Sequence, residues 1–194
     1  GIGRCGDVDS DGHADFLVGA HRHSGNNGSE CGKVYLYSGA TGQPLFTWEG
    51  EAATDYFGES VASAGDVDHD GVEDVVIGGR FVDTPNGGDS GRVYVYSGAT
   101  GPLIWKWDGE AAGDSFGSSG NVAMVAGAGD LDGDGHAEVI ASSVLHDGPN
   151  GADSGKAYVF SGATGALVRS FDGERDLDYF GACVGALRDL DHDG

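Results

Sequence analysis

Four short acidic motifs are the part of this sequence best suited to chemistry. Each has the form Asp-x-Asp-x-Asp-Gly, which places three carboxylates at alternate positions before a glycine. Six carboxylate oxygens around one point suit a hard cation such as Ca²⁺, and glycine permits the sharp turn that the loop requires. The motifs contain Asp7, Asp9 and Asp11; Asp66, Asp68 and Asp70; Asp130, Asp132 and Asp134; and Asp189, Asp191 and Asp193.

Two further positions complete the predicted metal loops. Position seven of a calcium loop normally coordinates through its backbone carbonyl, so it demands no common side chain. Its occupants are His13, Val72 and His136. Position nine is always a carboxylate, as expected for a closing ligand, and its occupants are Asp15, Asp74 and Glu138. We expect three complete calcium loops and a fourth that stops at Gly194 without its closing ligand.

Other interpretations of these loops are weaker. Aspartate-rich turns form without metal because Asp side chains bond to nearby backbone amides, but four copies with a recurring closing carboxylate favour a metal loop. An EF-hand is disfavoured because Val18, Ile77 and Ala141 occupy the place of its closing glutamate at position twelve. Magnesium or manganese could occupy some loops, although flexible, carboxylate-rich loops favour the larger Ca²⁺.

Two other groups of residues invite a chemical role. His21 and His23 lie near Cys31 and suggest zinc or copper, but the second repeat has no such pair and a solvated loop is the simpler interpretation. Paired carboxylates can hydrolyse glycosides. Glu51, Glu110 and Glu174, however, recur once per repeat, which is more typical of a turn or of a contact between repeats. No nucleophile elbow, phosphate loop or Cys-x-x-Cys is present, and we predict that the chain is not an enzyme.

Composition and charge narrow the possible partners. The chain has 194 residues, 38 of them glycine, and this glycine load favours short strands joined by tight turns. The formal charge of -22, with only 10 Lys and Arg, makes nucleic acid a poor partner. Bound calcium would offset much of this charge, so we expect folding to depend on it. No apolar run approaches the roughly eighteen residues that span a bilayer, and we expect no membrane insertion.

The three cysteines, Cys5, Cys31 and Cys183, are an odd number, so at least one is unpaired within the chain. Small buried side chains are the simplest interpretation. When the repeats are aligned, Cys5 replaces Ala64 and Cys31 replaces Ser90, so a bridge between these two cysteines within the first repeat is an open alternative.

The acidic motifs belong to a longer repeat. They begin at residues 7, 66, 130 and 189, which gives steps of 59, 64 and 59. Phe-Gly recurs at Phe57, Phe116 and Phe180, so the five extra residues fall between Phe116 and Asp130. Within one repeat, turn signals separate four apolar runs at residues 60–64, 74–78, 92–96 and 103–107. The third run has no polar face, which predicts a strand buried on both sides.

These features predict an all-β fold of propeller blades, each with four antiparallel strands. Phe-Gly followed by Gly-Asp-x-Asp-x-Asp-Gly and an apolar strand resembles the FG-GAP repeat, which also forms the propeller of the integrin α subunit. The resemblance covers essentially the whole chain. The segments that connect the motifs, Tyr-Ser-Gly-Ala-Thr-Gly and Gly-Glu-Ala-Ala, are similar to those of bacterial secreted members. It implies that the acidic loops join the first and second strands of each blade, on the lower rim, and that their metals are structural.

The resemblance also suggests how the chain is organised. We expect a partial unit at residues 1–50, a full unit at 51–109, a full unit with the insertion at 110–173 and a partial unit at 174–194. Family propellers usually close with about seven blades, whereas this sequence contains about three, with interrupted repeats at both ends. We expect a segment of something longer, completed by further blades of the same chain or by other copies of it, or left open.

Two functions follow as hypotheses. The first is a calcium-binding, non-catalytic propeller segment, secreted or at the cell surface, for adhesion, scaffolding, or matrix or filament assembly. The alternative is an accessory or carbohydrate-binding domain of a larger secreted hydrolase, with a protein or glycan ligand. Such a ligand is expected at the upper rim, in the loops at residues 21–30, 83–90 and 147–154, since loops on rigid scaffolds commonly carry recognition.

Overall fold

The computed structural model of the chain describes residues 1–120 and 122–185, which form twelve β-strands and no helix. Sheet 1 contains β1 (Ile2–Arg4), β2 (Phe16–Ala20), β3 (Lys33–Tyr37) and β4 (Pro44–Glu49). Sheet 2 contains β5 (Phe57–Gly65), β6 (Asp74–Gly79), β7 (Arg92–Tyr96) and β8 (Leu103–Asp108). Sheet 3 contains β9 (Val125–Gly129), β10 (Glu138–Ser143), β11 (Lys156–Phe160) and β12 (Leu167–Asp172).

Each sheet is an antiparallel meander in which the strands lie side by side in sequence order. The pairing register repeats as well: Leu17 faces Leu36 in sheet 1, Val76 faces Val95 in sheet 2, and Ile140 faces Val159 in sheet 3. The predicted all-β architecture of four-stranded, propeller-like blades is therefore confirmed. The described residues form no closed sheet.

The middle sheet is buried on both faces because apolar side chains point both ways along its central strands. Val75 and Ile77 of β6 join the core between sheets 1 and 2, whereas Val76 joins the core between sheets 2 and 3. Such two-sided burial requires continuous apolar runs rather than alternation. The cores lie between the sheets, so each blade buries its apolar side chains against its neighbours.

The first strand of each blade lies at the centre of the array. The closest packing between blades joins β1 and β2 to β5, and β5 and β6 to β9. The insertion falls just before β9, which spans five residues where β5 spans nine. Met124 fills this place, fully buried, and its backbone amide donates to Ser60 Oγ at 3.1 Å.

Two further contacts between blades recur along the chain. Gly91 pairs with Phe116 in a parallel bridge, and Gly32 with Phe57 and Gly155 with Phe180 do the same. Gly91 has a φ of +80°, and a Cβ there would lie 2.3 Å from the backbone nitrogen of Phe116, so this contact requires glycine. The indole nitrogen of Trp48 donates to the carbonyl of Gly101 at 2.8 Å. Trp107 makes the matching bond to Gly165 at 2.7 Å.

The outer face of sheet 3 is open. It exposes Leu167, Val168 and Phe171 of β12 to between 47% and 50%, and Phe180 to 43%. Phe57 and Phe116, the counterparts of Phe180, are covered by the next blade and are no more than 2% exposed. This open face has the character of a contact between blades.

Candidate metal centres

The three complete acidic loops occupy the same place in each blade. Loop 1 (residues 7–15) joins β1 to β2, loop 2 (residues 66–74) joins β5 to β6, and loop 3 (residues 130–138) joins β9 to β10. Hairpins between first and second strands all emerge on one side of the array, which we call the acidic edge. The Phe-Gly segments and the gaps between β2 and β3 lie at the opposite edge.

Each loop brings three carboxylates together. Within every group, one oxygen from each member lies within 4.8 Å of the others. The groups are Asp7, Asp9 and Asp15 in loop 1; Asp66, Asp68 and Asp70 in loop 2; and Asp130, Asp132 and Glu138 in loop 3. The structure thus contains acidic clusters that could hold a metal ion. Asp11, Asp134 and Asp74, which the sequence also predicts as ligands, lie in the same loops but outside these tightest groups. Asp189, Asp191 and Asp193 lie outside the described residues.

The first aspartate organises each loop. Asp7 accepts the backbone amides of Asp11 at 2.9 Å and Gly12 at 2.8 Å. Asp66 and Asp130 accept the matching amides of their own loops. These amides lower the pKa of the Asp130 carboxyl, because they stabilise its charged form. Gly12, Gly71 and Gly135 reach these bonds with φ between +89° and +93°, as the sequence-based turn argument requires.

The closing carboxylates are buried and tied to a second turn. Asp15 is 1% exposed and accepts the amides of Val8 at 2.7 Å and Gly39 at 2.9 Å. Asp74 accepts the amide of Gly98 at 3.0 Å, and burial raises its pKa to about 6. Gly39 and Gly98 belong to the repeated Ser-Gly-Ala-Thr-Gly turns between third and fourth strands. This repeat is visible in the sequence, but its role in fixing the closing carboxylates was missed there, although its constant spacing from the acidic motifs was a usable signal.

The surroundings of Glu138 in loop 3 suit a bound metal ion. It is 1% exposed, its Oε2 accepts the amide of Leu131 at 2.6 Å, and its buried Oε1 has no hydrogen-bond partner. Burial raises the pKa of this carboxyl, and the backbone amides of Leu131 and Gly162 offset part of that rise. A buried carboxylate oxygen without a partner is unfavourable unless a cation or proton satisfies it. A hard cation held by Asp130, Asp132 and Glu138 would satisfy this oxygen, so the loop fits calcium.

The occupants of position seven make unrelated side-chain contacts. The His13 ring is exposed and lies 3.3 Å from Asp11 of its own loop. Val72 packs against the core between sheets 1 and 2, and the His136 ring bonds to the carbonyl of Val67 in the neighbouring blade. Coordination through their backbone carbonyls stays a prediction.

The histidine pair and the repeated glutamates contact different parts of the fold. The Nε2 of His23 lies 3.6 Å from Glu49, whereas the His21 ring packs 5.6 Å from that of Tyr56, so the two histidines face different neighbours. Glu51 bonds to Arg92 and Lys106 of the next blade. Glu110 bonds to Lys156 at 2.9 Å and lies 3.5 Å from His146. Glu174 is exposed.

The suggested bridge between Cys5 and Cys31 is wrong. Both cysteines are free and buried, and Cys183 is free and exposed. The amide of Cys5 bonds to Asp15 at the acidic edge, whereas Cys31 lies beside Gly32 and His23 at the opposite edge. The whole of β2 separates the two edges, about 16 Å at about 3.3 Å per residue. A disulfide requires Cα atoms within about 7 Å.

A cavity of about 440 Å³ lies between sheets 2 and 3. Four aromatic residues line it, Trp107, Phe116, Tyr158 and Phe160, together with polar groups that include Asn86, Asp108 and Glu110. Tyr158 is 3% exposed, and its hydroxyl has no hydrogen-bond partner.

Comparison with known proteins identifies the repeat. Residues 7–77 match the family model described as an FG-GAP-like repeat. The chain is 34% identical to integrin alpha-4 of Xenopus laevis in an alignment 155 positions long that covers 73% of this chain. The chain is an FG-GAP repeat protein. It is also 32% identical to integrin alpha-5 of Xenopus laevis in an alignment 151 positions long that covers 71% of this chain.

The FG-GAP chain spans 14% of the length of each of these two integrin subunits, so their ligands and partners do not transfer to it directly. A crystal structure of an exotype rhamnogalacturonan lyase superposes on 87% of this chain and 32% of the lyase, with a TM-score of 0.50 and 16% identity. This likeness concerns the fold alone. No helix in the described part of the FG-GAP chain is long and apolar enough to cross a membrane.

Proposed function

We propose that this FG-GAP chain is a calcium-binding, non-catalytic extracellular propeller segment that serves adhesion, scaffolding, or matrix or filament assembly. The observation that carries the proposal is the recurrence of a three-carboxylate cluster at the same hairpin of all three blades. The unpartnered, buried Oε1 of Glu138 supports it, because this atom needs a cation or a proton.

Charge supports a stabilising role for the metal. The chain carries a formal charge of -22, and the loops gather carboxylates within 4.8 Å of one another. Without a counterion these groups repel each other, and the folded state concentrates that repulsion at the acidic edge. Calcium that binds the folded loops and not the unfolded chain stabilises the fold by mass action. Each loop joins the first and second strands of its blade, and these strands pack against the neighbouring blade. Calcium bound in the loops therefore also stabilises the contacts between blades.

The direct test is thermal unfolding and limited proteolysis with millimolar CaCl₂ and again after chelation. We expect chelation to lower the Tm by several degrees or more and to expose new cleavage sites, because each saturated loop adds about 3 to 4 kcal/mol at ligand concentrations of 100 to 1,000 times Kd. An unchanged Tm and an unchanged proteolysis pattern would falsify the calcium assignment.

A matched pair of variants separates ligation from net charge. Asp132→Asn removes a carboxylate of the loop 3 cluster, and Asp153→Asn removes one charge at the opposite edge, where asparagine tolerates the φ of +47°. We expect the calcium-dependent rise in Tm to shrink in the first variant and to persist in the second.

The contacts of the repeated glutamates support a non-catalytic function. Glu51 and Glu110, which are the carboxylates closest to a hydrolase pattern, are engaged by basic side chains of the following blade. These ion pairs support a role in the contact between blades. The absence of a single-copy set of nucleophile and base in the sequence agrees with this role.

The open face of sheet 3 supports the proposed role in assembly. The apolar residues Val168, Phe171 and Phe180 occupy places that another blade covers in sheets 1 and 2. Continuity with these two interfaces points to one occupant, a further four-stranded blade of the same repeat. Electron microscopy in millimolar calcium distinguishes its sources: closed discs indicate ring closure, and long fibres that fall apart on chelation indicate assembly of successive copies.

A second candidate function is favoured by the cavity between sheets 2 and 3. Aromatic faces beside amide and carboxylate groups suit a polar ligand with apolar faces, such as a carbohydrate. The cavity includes Asn86, from one of the loops in which the sequence predicts recognition. A glycan array probed in calcium and after chelation tests this function, and an array without hits argues against a carbohydrate-binding domain.

A further inference from the structure

Two histidines join loop 2 and loop 3 in opposite directions. The Nδ1 of His69, in loop 2, bonds to the carbonyl oxygen of Gly135 in loop 3. The Nδ1 of His136, in loop 3, bonds to the carbonyl oxygen of Val67 in loop 2 at 2.7 Å. A carbonyl oxygen only accepts, so each ring donates through Nδ1–H. The ring centroids are 5.4 Å apart. We call His69 and His136 the histidine clasp.

The backbone strengthens the clasp. The amide of Ala137 donates to the carbonyl oxygen of Asp66 at 2.8 Å. A Cβ on Gly135 would lie 2.9 Å from Cε1 of His69, so the ring lies directly against the loop 3 backbone. Three bonds thus fasten loop 2 to loop 3, and the clasp supplies two of them.

The clasp joins residues whose backbone amides hold carboxylates of loops 2 and 3. The amide of Val67 donates to Asp74 at 2.7 Å, and that of Gly135 donates to Asp130 at 2.9 Å. The amide of His136 donates to Asp134, also at 2.9 Å. A rearrangement of either loop therefore shifts carboxylates or carbonyls in the other.

Loops 1 and 2 are joined differently. Ser10 and Val72 stand in the places of His69 and His136, so this pair of loops has no imidazole between them. The link there is Glu73, whose Oε2 accepts the amide of Gly6, just before loop 1, at 2.8 Å and the hydroxyl of Ser63 at 2.7 Å.

We propose that loops 2 and 3 form one coupled calcium-binding unit through the histidine clasp, whereas loop 1 binds calcium independently. The inference rests on the proposed calcium function. The first ion orders its own loop and, through the clasp, the neighbouring loop. The second ion then binds a site that is already ordered, which gives positive cooperativity.

Electrostatics alone gives the opposite sign. A bound divalent ion makes the neighbouring loops less negative, which lowers their affinity for a second cation. This effect also reaches loop 1, and it is screened beyond about 8 Å at physiological ionic strength. Positive coupling confined to loops 2 and 3 therefore identifies the clasp rather than charge.

The glycine amides provide a reporter for each loop. Gly12, Gly71 and Gly135 donate to the first aspartate of loops 1, 2 and 3, so their amide resonances respond to a change at that carboxylate. The experiment is a CaCl₂ titration of the whole chain labelled with ¹⁵N-glycine, followed by two-dimensional NMR at physiological ionic strength. We expect the Gly71 and Gly135 curves to be steep and to coincide, and the Gly12 curve to be separate and hyperbolic.

Variants test whether the clasp carries the coupling. Asp130→Asn weakens loop 3, and we expect it to reduce the calcium affinity reported by Gly71 about fivefold or more. In the His69→Gln, His136→Gln double variant, the same substitution should leave the Gly71 curve in place. His13→Gln is the matched control, because His13 is the loop 1 counterpart of His136 and its exposed ring contacts its own loop.

Each outcome of the titration bears on either the coupling or the calcium function beneath it. If no glycine amide moves with calcium, the proposed calcium function fails, and the coupling fails with it. Three independent curves in the unaltered protein overturn the coupling but leave calcium binding intact. Coinciding curves that survive in the double variant overturn the role of the clasp.

Calcium release tests the same coupling without any variant. The unaltered, calcium-loaded protein is mixed with a chelator in a stopped-flow instrument, and the rate at which each ion leaves is measured. One phase that accounts for two ions supports coupling between loops 2 and 3, and independent phases for all the ions oppose it.

Discussion

At the scale of single residues, a few polar atoms explain why the acidic edge needs a counterion. The Oε1 of Glu138 is buried without a partner, and burial raises the pKa of Asp74 to about 6. Because that pKa lies above the usual value, the metal-free fold gains stability from Asp74 as the pH falls from about 6 towards 4 and loses it as the pH rises. At neutral pH, a bound cation would compensate the charge of these carboxylates, as a proton does in acid.

The cysteines give a prediction at the same scale. Burial raises the pKa of Cys5 to about 12, so its thiolate is scarce at pH 8, and Cys31 is fully buried. Cys183 is exposed. We expect a thiol reagent at pH 8 to label one cysteine per chain in the folded, calcium-loaded protein and three in denaturant. Mass spectrometry of the labelled peptides checks which one reacts. Rapid labelling of Cys5 in the loaded protein contradicts the described packing.

At the scale of elements, the repeat explains most of what the sequence could predict. The apolar runs and the Asp spacing locate strands and hairpins, because burial on two faces and a tight metal loop each leave a local pattern. Contacts across blades leave no such pattern. The bond from Trp48 to Gly101 and the histidine clasp depend on how sheets stack, and single-chain periodicity does not encode that geometry.

The incorrect bridge between Cys5 and Cys31 illustrates the same limit. The alignment of the repeats places the two cysteines in one unit, but it does not show at which edge of the sheet each cysteine lies. The strand order contained the answer, since Cys5 precedes an acidic loop and Cys31 precedes a third strand that starts at the opposite edge.

Trp107 offers a prediction about the contact between blades 2 and 3. Its indole donates to Gly165, and its counterpart in sheet 3 is Phe171, so the repeat accommodates phenylalanine here. We expect Trp107→Phe to lower the free energy of unfolding by about 1 to 3 kcal/mol, because it removes one hydrogen bond and part of a half-buried ring that packs against the core between sheets 2 and 3. Chemical denaturation in saturating calcium measures the change. Arg169→Lys, on the exposed strand β12, serves as the control and should leave the stability nearly unchanged. A Trp107→Phe variant as stable as the parent protein would show that the indole bond contributes little.

At the scale of the whole molecule, one core lies on each side of sheet 2, and the outer face of sheet 3 is open. Sheet 2 is covered on both sides, whereas every residue of β12 is exposed. An exposed apolar surface of this kind favours association in water. Under the proposed function, a further blade packs against this face.

The open face yields the corresponding prediction. Val168→Lys places a charge in the centre of this face without touching either core. We expect the variant to keep its Tm within about 2 °C, because surface substitutions usually change stability by less than about 0.5 kcal/mol. We expect it to lose any calcium-dependent assembly of the parent protein. Light scattering and electron microscopy compare the two proteins, with Thr164→Lys, on a turn at the acidic edge, as the charge-matched control. Equal assembly by all three proteins removes this face from the proposal.

The recurring Gly-Phe bridges have a mechanical consequence. The chain leaves each blade from its outermost strand and enters the next at its innermost strand, and the bridge between Gly91 and Phe116 lies close to that crossing. Tension applied along the backbone therefore reaches the bridge and the outermost strand before it reaches the buried strands. A pulled array should lengthen in steps of one blade each, so that the molecule yields gradually and most of its blades stay folded under load.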